Sequence, residues 1–220
     1  MIIDPADLDR RALNGLINGL VYPRPIAWVS SISAGGVRNL APFSFFNAFS
    51  FNPPTLGIGP GSRQGVNKDS LRNIRETGEF VVNAVSEPLA EIANLCSAEL
   101  DGDVDEWELL GIEGLDSVDV APQRVALSPA SFECRVREIV DLGTPEMPSN
   151  SLIVGSVVRI HVDDDAMDGM RPRPEVLSLV GRMGGDLWCR TTDRFELPRP
   201  STVDVGDLRA AAEGLRGVRD

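Results

Sequence analysis

The stretch leading into "KDSLRNIRETG" gathers Arg63, Lys68, Asp69 and Ser70 where a loop meets the start of a helical pattern. Cationic and hydroxyl side chains at such a place are suited to a phosphate, because the free backbone N–H groups of a helix N-terminus favour an anion. The glycines just ahead, Gly57, Gly59 and Gly61, do not satisfy the GxGxxG spacing of a dinucleotide fingerprint, and no Gly-Lys-Ser/Thr follows to make a Walker A loop. Two readings of this stretch therefore stand, a solvated basic turn that caps a helix and a looser anion site.

A second chemistry-bearing stretch lies upstream. Asn39 to Gly59 holds Phe43, Phe45, Phe46, Phe49 and Phe51, five of the eight Phe. In an extended chain, the odd positions place Phe43, Phe45, Asn47, Phe49 and Phe51 on one face, and the even positions place Ser44, Phe46, Ala48 and Ser50 on the other. One face is then a bulky wall. The other is small and hydroxylated, a surface on which a flat ring can approach the main chain and bond to its N–H groups. Core filling is the plain alternative for each Phe, and a rigid aromatic wall is compatible with both readings.

Other catalytic chemistry is sparse. The one histidine, His161, would have to serve any Ser-His-Asp or Cys-His arrangement, and it stands where a strand runs out into Asp163, Asp164 and Asp165. His161 and Asp163 share a strand face, but their spacing matches no standard metal-ligand set, so a polar strand end is expected there and no metal. Cys96, Cys134 and Cys189 are odd in number and widely spaced, without zinc or disulfide patterning, which fits a reduced, cytoplasmic compartment. A net charge of −12 opposes nucleic-acid binding and gives no attraction to an anionic membrane surface. The start "MIIDPADLDR" is acidic where a signal peptide is basic, and no apolar run approaches the ~18 residues that span a bilayer.

These residues need elements to hold them. At 220 residues, a single domain over 1–220 is expected, with a core about 20–198 and a tail over 199–220. Leu8, Ala12, Leu16 and Leu20 recur four apart behind Asp4 and Asp7, which predicts a capped N-terminal helix. "RPIAWVSSIS" and "GVRNLAP" read as a hairpin turning through Ala34-Gly35-Gly36. "PPTLGIG" is a strand. "KDSLRNIRETG" is a helix with Asp69 or Ser70 as N-cap and Gly78 beyond its end. "EFVVNAV" returns to strand, and "EPLAEIANLCS" is a helix with Pro88 in its first turn. The acidic segment around Trp107 reads as a long loop or flap. "SFECRVREIVDLG" and "SLIVGSVVRIHVDDD" are strands with one buried face each, in antiparallel register, and "DLRAAAEGLRGV" is a last short helix. Strands in hairpin succession favour a mainly β fold, an antiparallel barrel or sandwich with peripheral helices.

Read together, "YPRPIAWVSSIS", "GGVRNLAPFSFFNAFSFNPPTLGIG" and "KDSLRNIRETGEFVVN", followed by "VGSVVRIHVDDD" and "VGRMGGDLWCRT", resemble the flavin reductase-like family over about Tyr22 to Pro198. The resemblance implies a six-stranded antiparallel FMN-binding split barrel of Greek-key type, a homodimer with flavin near the subunit interface, and reduced nicotinamide (NADH or NADPH) as electron donor. It implies delivery of electrons to free flavin, a partner monooxygenase or another acceptor. Carried over, Ser30, Ser31, Pro42, Ser44, Phe45, Phe46 and Asn47 line the FMN site, while Arg63, Lys68, Asp69 and Ser70 handle its phosphate and ribityl chain. Many NAD(P)H-using members carry Gly-Asp-His near the C-terminal end. This chain reads Gly185-Asp186-Leu187-Trp188, so Arg182 and Trp188 are the contacts expected for flavin or a stacked donor. No catalytic acid or base is required, since the cofactor carries the hydride chemistry.

Overall fold

Caps and turn glycines set the boundaries of the first elements. The computed structural model describes residues 1–63, 66–98, 100–102, 104–143, 150–199 and 205–214. Helix α1 (Arg10–Leu20) starts behind Asp9, whose carboxylate accepts the Ala12 N–H at 2.7 Å. The cap is therefore neither Asp4 nor Asp7. Asp4 instead closes the 3-10 turn Pro5–Asp7, and a second acid was available nearer the helix. Strands β1 (Ala27–Ile32) and β2 (Arg38–Phe43) form the expected hairpin, with Gly36 at φ 86° in the turn.

The Phe segment does not run on as one extended strand. It breaks at Ser44 and Phe45, and β3 (Phe46–Phe51) then pairs with β4 (Pro54–Ile58) through a register shift between Ala48 and Ser50. The break and the bulge scramble the odd-even faces. Phe43 is buried in the core, Phe46 packs against it, Phe45 is partly exposed, and Phe49 and Phe51 are exposed. The single aromatic wall expected from the alternation is thus divided.

Helix α2 (Asp69–Thr77) ends at Gly78 in the left-handed region, as expected, but its N-cap is Lys68, with no side-chain cap bond. Asp69 pairs with Arg72 at 2.8 Å, and buried Ser70 accepts from Asn39 Nδ2 at 2.8 Å, so neither is available to cap. After β5 (Glu79–Ala84) and the Pro88 turn comes α3 (Ala90–Leu95). The acidic segment then forms α4 (Glu106–Leu110) rather than a loop or flap. Asp105 caps it by accepting from Trp107 N–H at 2.9 Å and Glu108 N–H at 3.3 Å, and Gly111 ends it in the left-handed region. Trp107 is fully packed against Trp28 and Leu40 in a buried cluster.

The long strands β6 (Ala130–Asp141) and β7 (Ser151–Val162) complete the sheet, which runs β2-β1-β5-β6-β7-β4-β3 with every pair antiparallel. It has seven strands where six were expected, because Phe46–Phe51 pairs as a strand of its own. The two edges of this sheet, β2 and β3, are consecutive in the chain and joined only by Ser44 and Phe45. At about 3.3 Å per extended residue, that joint brings the edges side by side without a hydrogen-bonded ladder between them. The sheet is therefore curled into a barrel with one open seam, a split barrel.

Inside the barrel lie Val29, Phe43, Ile58, Phe80, Val82 and Ile153, and α2 closes one end with Leu71 and Ile74. A second buried cluster, on the outer face of β1 and β2, takes in α3 and α4. Beyond the barrel, β8 (Val180–Arg182) and β9 (Trp188–Arg190) join the short strand Arg24–Pro25 in a small sheet, and α5 (Val205–Gly214) ends the described chain.

Candidate functional site

A groove of about 590 Å³ opens at the seam, within the roughly 300–1,000 Å³ range of small-molecule sites. The joint supplies its floor through Pro42, Ser44 and Phe45. Lys68 enters from the start of α2, with Nζ 5.3 Å from the Phe43 ring centroid. Gly59 and Gly61, which fail both nucleotide-loop patterns, line the groove nevertheless. Their role is steric. A Cβ on Gly59 would stand 3.0 Å from Phe45 Cβ, and one on Gly61 would stand 3.2 Å from Asn150 Oδ1, so the backbone approaches as closely as it can.

Arg24, which sequence reasoning passed over within "YPRP", organises the opposite wall. It is nearly buried; Nη1 donates to the carbonyls of Asn18 (2.9 Å) and Val21, Nη2 donates to Met183 O (3.1 Å), and Nε donates to Ser44 Oγ (3.3 Å). One guanidinium thus caps the C-terminal end of α1, holds the turn after β8 and orients the seam hydroxyl. Burial, and then the neighbouring Arg182 charge, push its pKa down from the ordinary arginine value. Arg11 and Asn14 of α1, together with Arg182 and Asp186, complete that wall. Among the described residues, four cationic side chains and one carboxylate line the groove in a chain of net charge −12, an arrangement that favours anions there against the overall field.

The structure brings together Pro42, Ser44, Phe45, Lys68 and Arg182 of the residues singled out from sequence. The others stand apart. Ser30 and Ser31 line a separate cavity of about 350 Å³ beside Trp107, where Ser30 Oγ donates to Gln123 O at 2.5 Å and Ser31 Oγ accepts from Asn73 Nδ2 at 3.4 Å. Phe46 and Asn47 face an apolar cavity of about 520 Å³ with Cys189 on its wall, separated from the groove by Arg24. Asp69 and Ser70 are engaged within the fold as described, and the side chain of Arg63, in the strand Ser62–Arg63, lies outside the described residues. Trp188 packs on the outer cluster and does not line the groove itself, though the guanidinium of Arg182, which does, sits 5.5 Å from its ring centroid.

His161 has a structural partner. Its Nε2 lies 2.6 Å from Oε1 of Glu133, a carboxylate fully enclosed although it alternates along β6 with the apolar Phe132 and Cys134. Glu133 also accepts the N–H groups of Val118 (2.8 Å) and Asp119 (2.6 Å), from the loop that covers it. Burial raises its pKa, but these two N–H groups and His161 outweigh burial and hold it below the usual 4.5.

The groove therefore offers a hydroxyl, an ammonium group, guanidinium groups, the aromatic rings of Phe43 and Phe45 and closely approached backbone. That donor set fits a planar heteroaromatic ligand bearing a phosphate, and FMN is such a ligand. Residues 19–179 match the family described as the flavin reductase like domain. The chain is 31% identical to nitrilotriacetate monooxygenase component B from Bacillus cereus, covering 90% of this chain and 98% of that one at a TM-score of 0.87. It is 32% identical to 2-nitrobenzoate 2-nitroreductase NbaA from Pseudomonas fluorescens, covering 93% and 98% at a TM-score of 0.83. A Shewanella frigidimarina protein with a split barrel domain shares the fold, at 22% identity, 89% and 96% coverage and a TM-score of 0.76.

Proposed function

Because the chain belongs to the flavin reductase-like family, we propose that it is an FMN-binding oxidoreductase that takes hydride from NADH or NADPH. The observation that carries this reading is the cation-lined groove at the barrel seam, where Ser44, Phe45 and Lys68 meet two closely approaching glycines. FMN, when bound, supplies a two-electron acceptor, and the protein's part is position, exclusion of water and charge. Lys68 neutralises the phosphate. Ser44 and the main chain of the joint orient the ring, and Phe45 shields it from solvent. No proton-transfer residue is required of the chain in this reading.

The similarity to a monooxygenase component and to a nitroreductase supports an acceptor beyond free flavin, either a partner monooxygenase or a reducible aromatic molecule. The active unit in this reading is a homodimer. The exposed Phe49 and Phe51 on the edge strand β3 support it, since large rings are rarely left to water in a row.

The test is spectroscopic. The visible spectrum of purified protein with added FMN, followed by anaerobic NADH and then NADPH, should show flavin binding and bleaching. Lys68→Ala should lower FMN affinity by about tenfold, the low end for a charge-assisted contact at an exposed cation, and leave riboflavin affinity unchanged. Equal losses for both flavins would remove the phosphate role. Bound flavin that neither nucleotide bleaches would identify an electron carrier.

A further inference from the structure

The family match ends at residue 179 and begins at residue 19, and this boundary divides the groove along its length. Ser44, Phe45, Gly59 and Lys68 lie inside it. Arg11, Asn14 and Asn18 of α1 lie outside it, as do Arg182 and Asp186. One wall is thus common family structure, and the other, apart from Arg24, is built from residues beyond both ends of the matched region.

The second wall is a fixed unit. Arg24 joins it by donating to Asn18 O and Met183 O, and a Cβ on Gly184 would stand only 3.0 Å from Gly19 Cα, so helix and turn meet backbone to backbone. No residue of α1 is buried, which leaves its groove side open to a ligand. Arg11 is exposed there, and Arg182, held over the Trp188 ring, has a long ion pair, 3.8 Å, to a fully exposed Asp186. FMN carries a single phosphate, for which Lys68 stands on the common wall. Two further arginines facing the same groove exceed that need.

We propose that the second wall binds the pyrophosphate of the dinucleotide donor, with Arg11 and Arg182 as its anion contacts. This rests on the reading of the groove as an FMN-loaded redox site. The wall then selects the second reactant, while the common wall holds the cofactor. An acceptor carboxylate presents similar charge to the same arginines, so the test includes both chemistries.

The experiment is calorimetric titration of the FMN-saturated protein with ADP-ribose and, separately, with benzoate. Arg11→Gln and Arg182→Gln should each weaken ADP-ribose binding by about tenfold, as loss of one charge-assisted contact does, with FMN affinity unchanged. Arg11 is the decisive position, because its exposure makes a folding defect an inadequate explanation, and Arg11→Glu should weaken binding further. Unchanged ADP-ribose affinity in both variants overturns the proposal. So does a parallel loss of FMN affinity, or a loss confined to benzoate. Failure of the unsubstituted protein to take up FMN overturns instead the functional reading beneath it.

Discussion

Glu133 shows how one side chain ties a covering loop to the sheet. It is a buried carboxylate with three partners, two of them N–H groups of that loop. Its pKa is depressed in the fold, so the stability it contributes is present above the ordinary value of 4.5 and is lost as pH falls through the lower folded value. Acid unfolding followed by circular dichroism should therefore steepen below about pH 5, and Glu133→Gln should flatten that limb. At neutral pH the same substitution should cost about 1–3 kcal/mol in denaturant unfolding, since one N–H acceptor becomes an amide donor facing donors. An unchanged acid limb would mean that other carboxylates dominate. Alternation along β6 marks Glu133 as a solvent-facing residue, and only the loop packed over it, remote in sequence, reverses that assignment. Arg24 was hidden for a related reason, since its value lies in carbonyls from α1 and Met183 that local sequence does not bring together.

Among the elements, those with their own punctuation were legible. Gly36 and Gly78 take positive φ where the hairpin and the end of α2 were read. The elements that were misread lacked such signals or hid them. Helix α4 has a good N-cap and C-terminal glycine, but its acidic surroundings suggested solvent, and burial of Trp107 against Trp28 is a tertiary fact. The break at Ser44 and Phe45 has neither Gly nor Pro within it and follows from barrel closure. Strand β7 supplies a test of closure. Gly155 lies where an added Cβ would come within 2.5 Å of the Phe80 ring and 3.3 Å of Cys134 Cβ, inside the barrel. Gly155→Val should cost at least ~1–3 kcal/mol in equilibrium unfolding, the usual range for overpacking. Adding Phe80→Leu should recover part of the loss, and a purely additive double variant would show that the ring is not the obstacle.

For the whole molecule, charge and apolar surface point in different directions. The chain repels its own kind at net −12, yet Phe49 and Phe51 are 66% and 94% exposed on an edge strand. Association through this face requires apolar burial to outweigh repulsion, so a two-fold dimer should tighten with added salt, which screens charge over about 8–10 Å at 0.1–0.15 M. Sedimentation velocity should find a dimer in the unsubstituted protein and a folded monomer for Phe51→Asp. A variant that remains dimeric would move the interface elsewhere.

The seam has a consequence for chain length. Most surface connections tolerate insertion, because a longer loop only arcs further into solvent. Ser44 and Phe45 do not form such a loop, since they measure out the gap between the two ends of the sheet and at the same time form the groove floor. Each residue added there would lengthen the joint by about 3.3 Å, and two would exceed the ~4.8 Å that separates neighbouring strands. Insertions and deletions at this joint are therefore among the least tolerated in the chain. The number of residues between Phe43 and Phe46 is under tighter constraint than their identity.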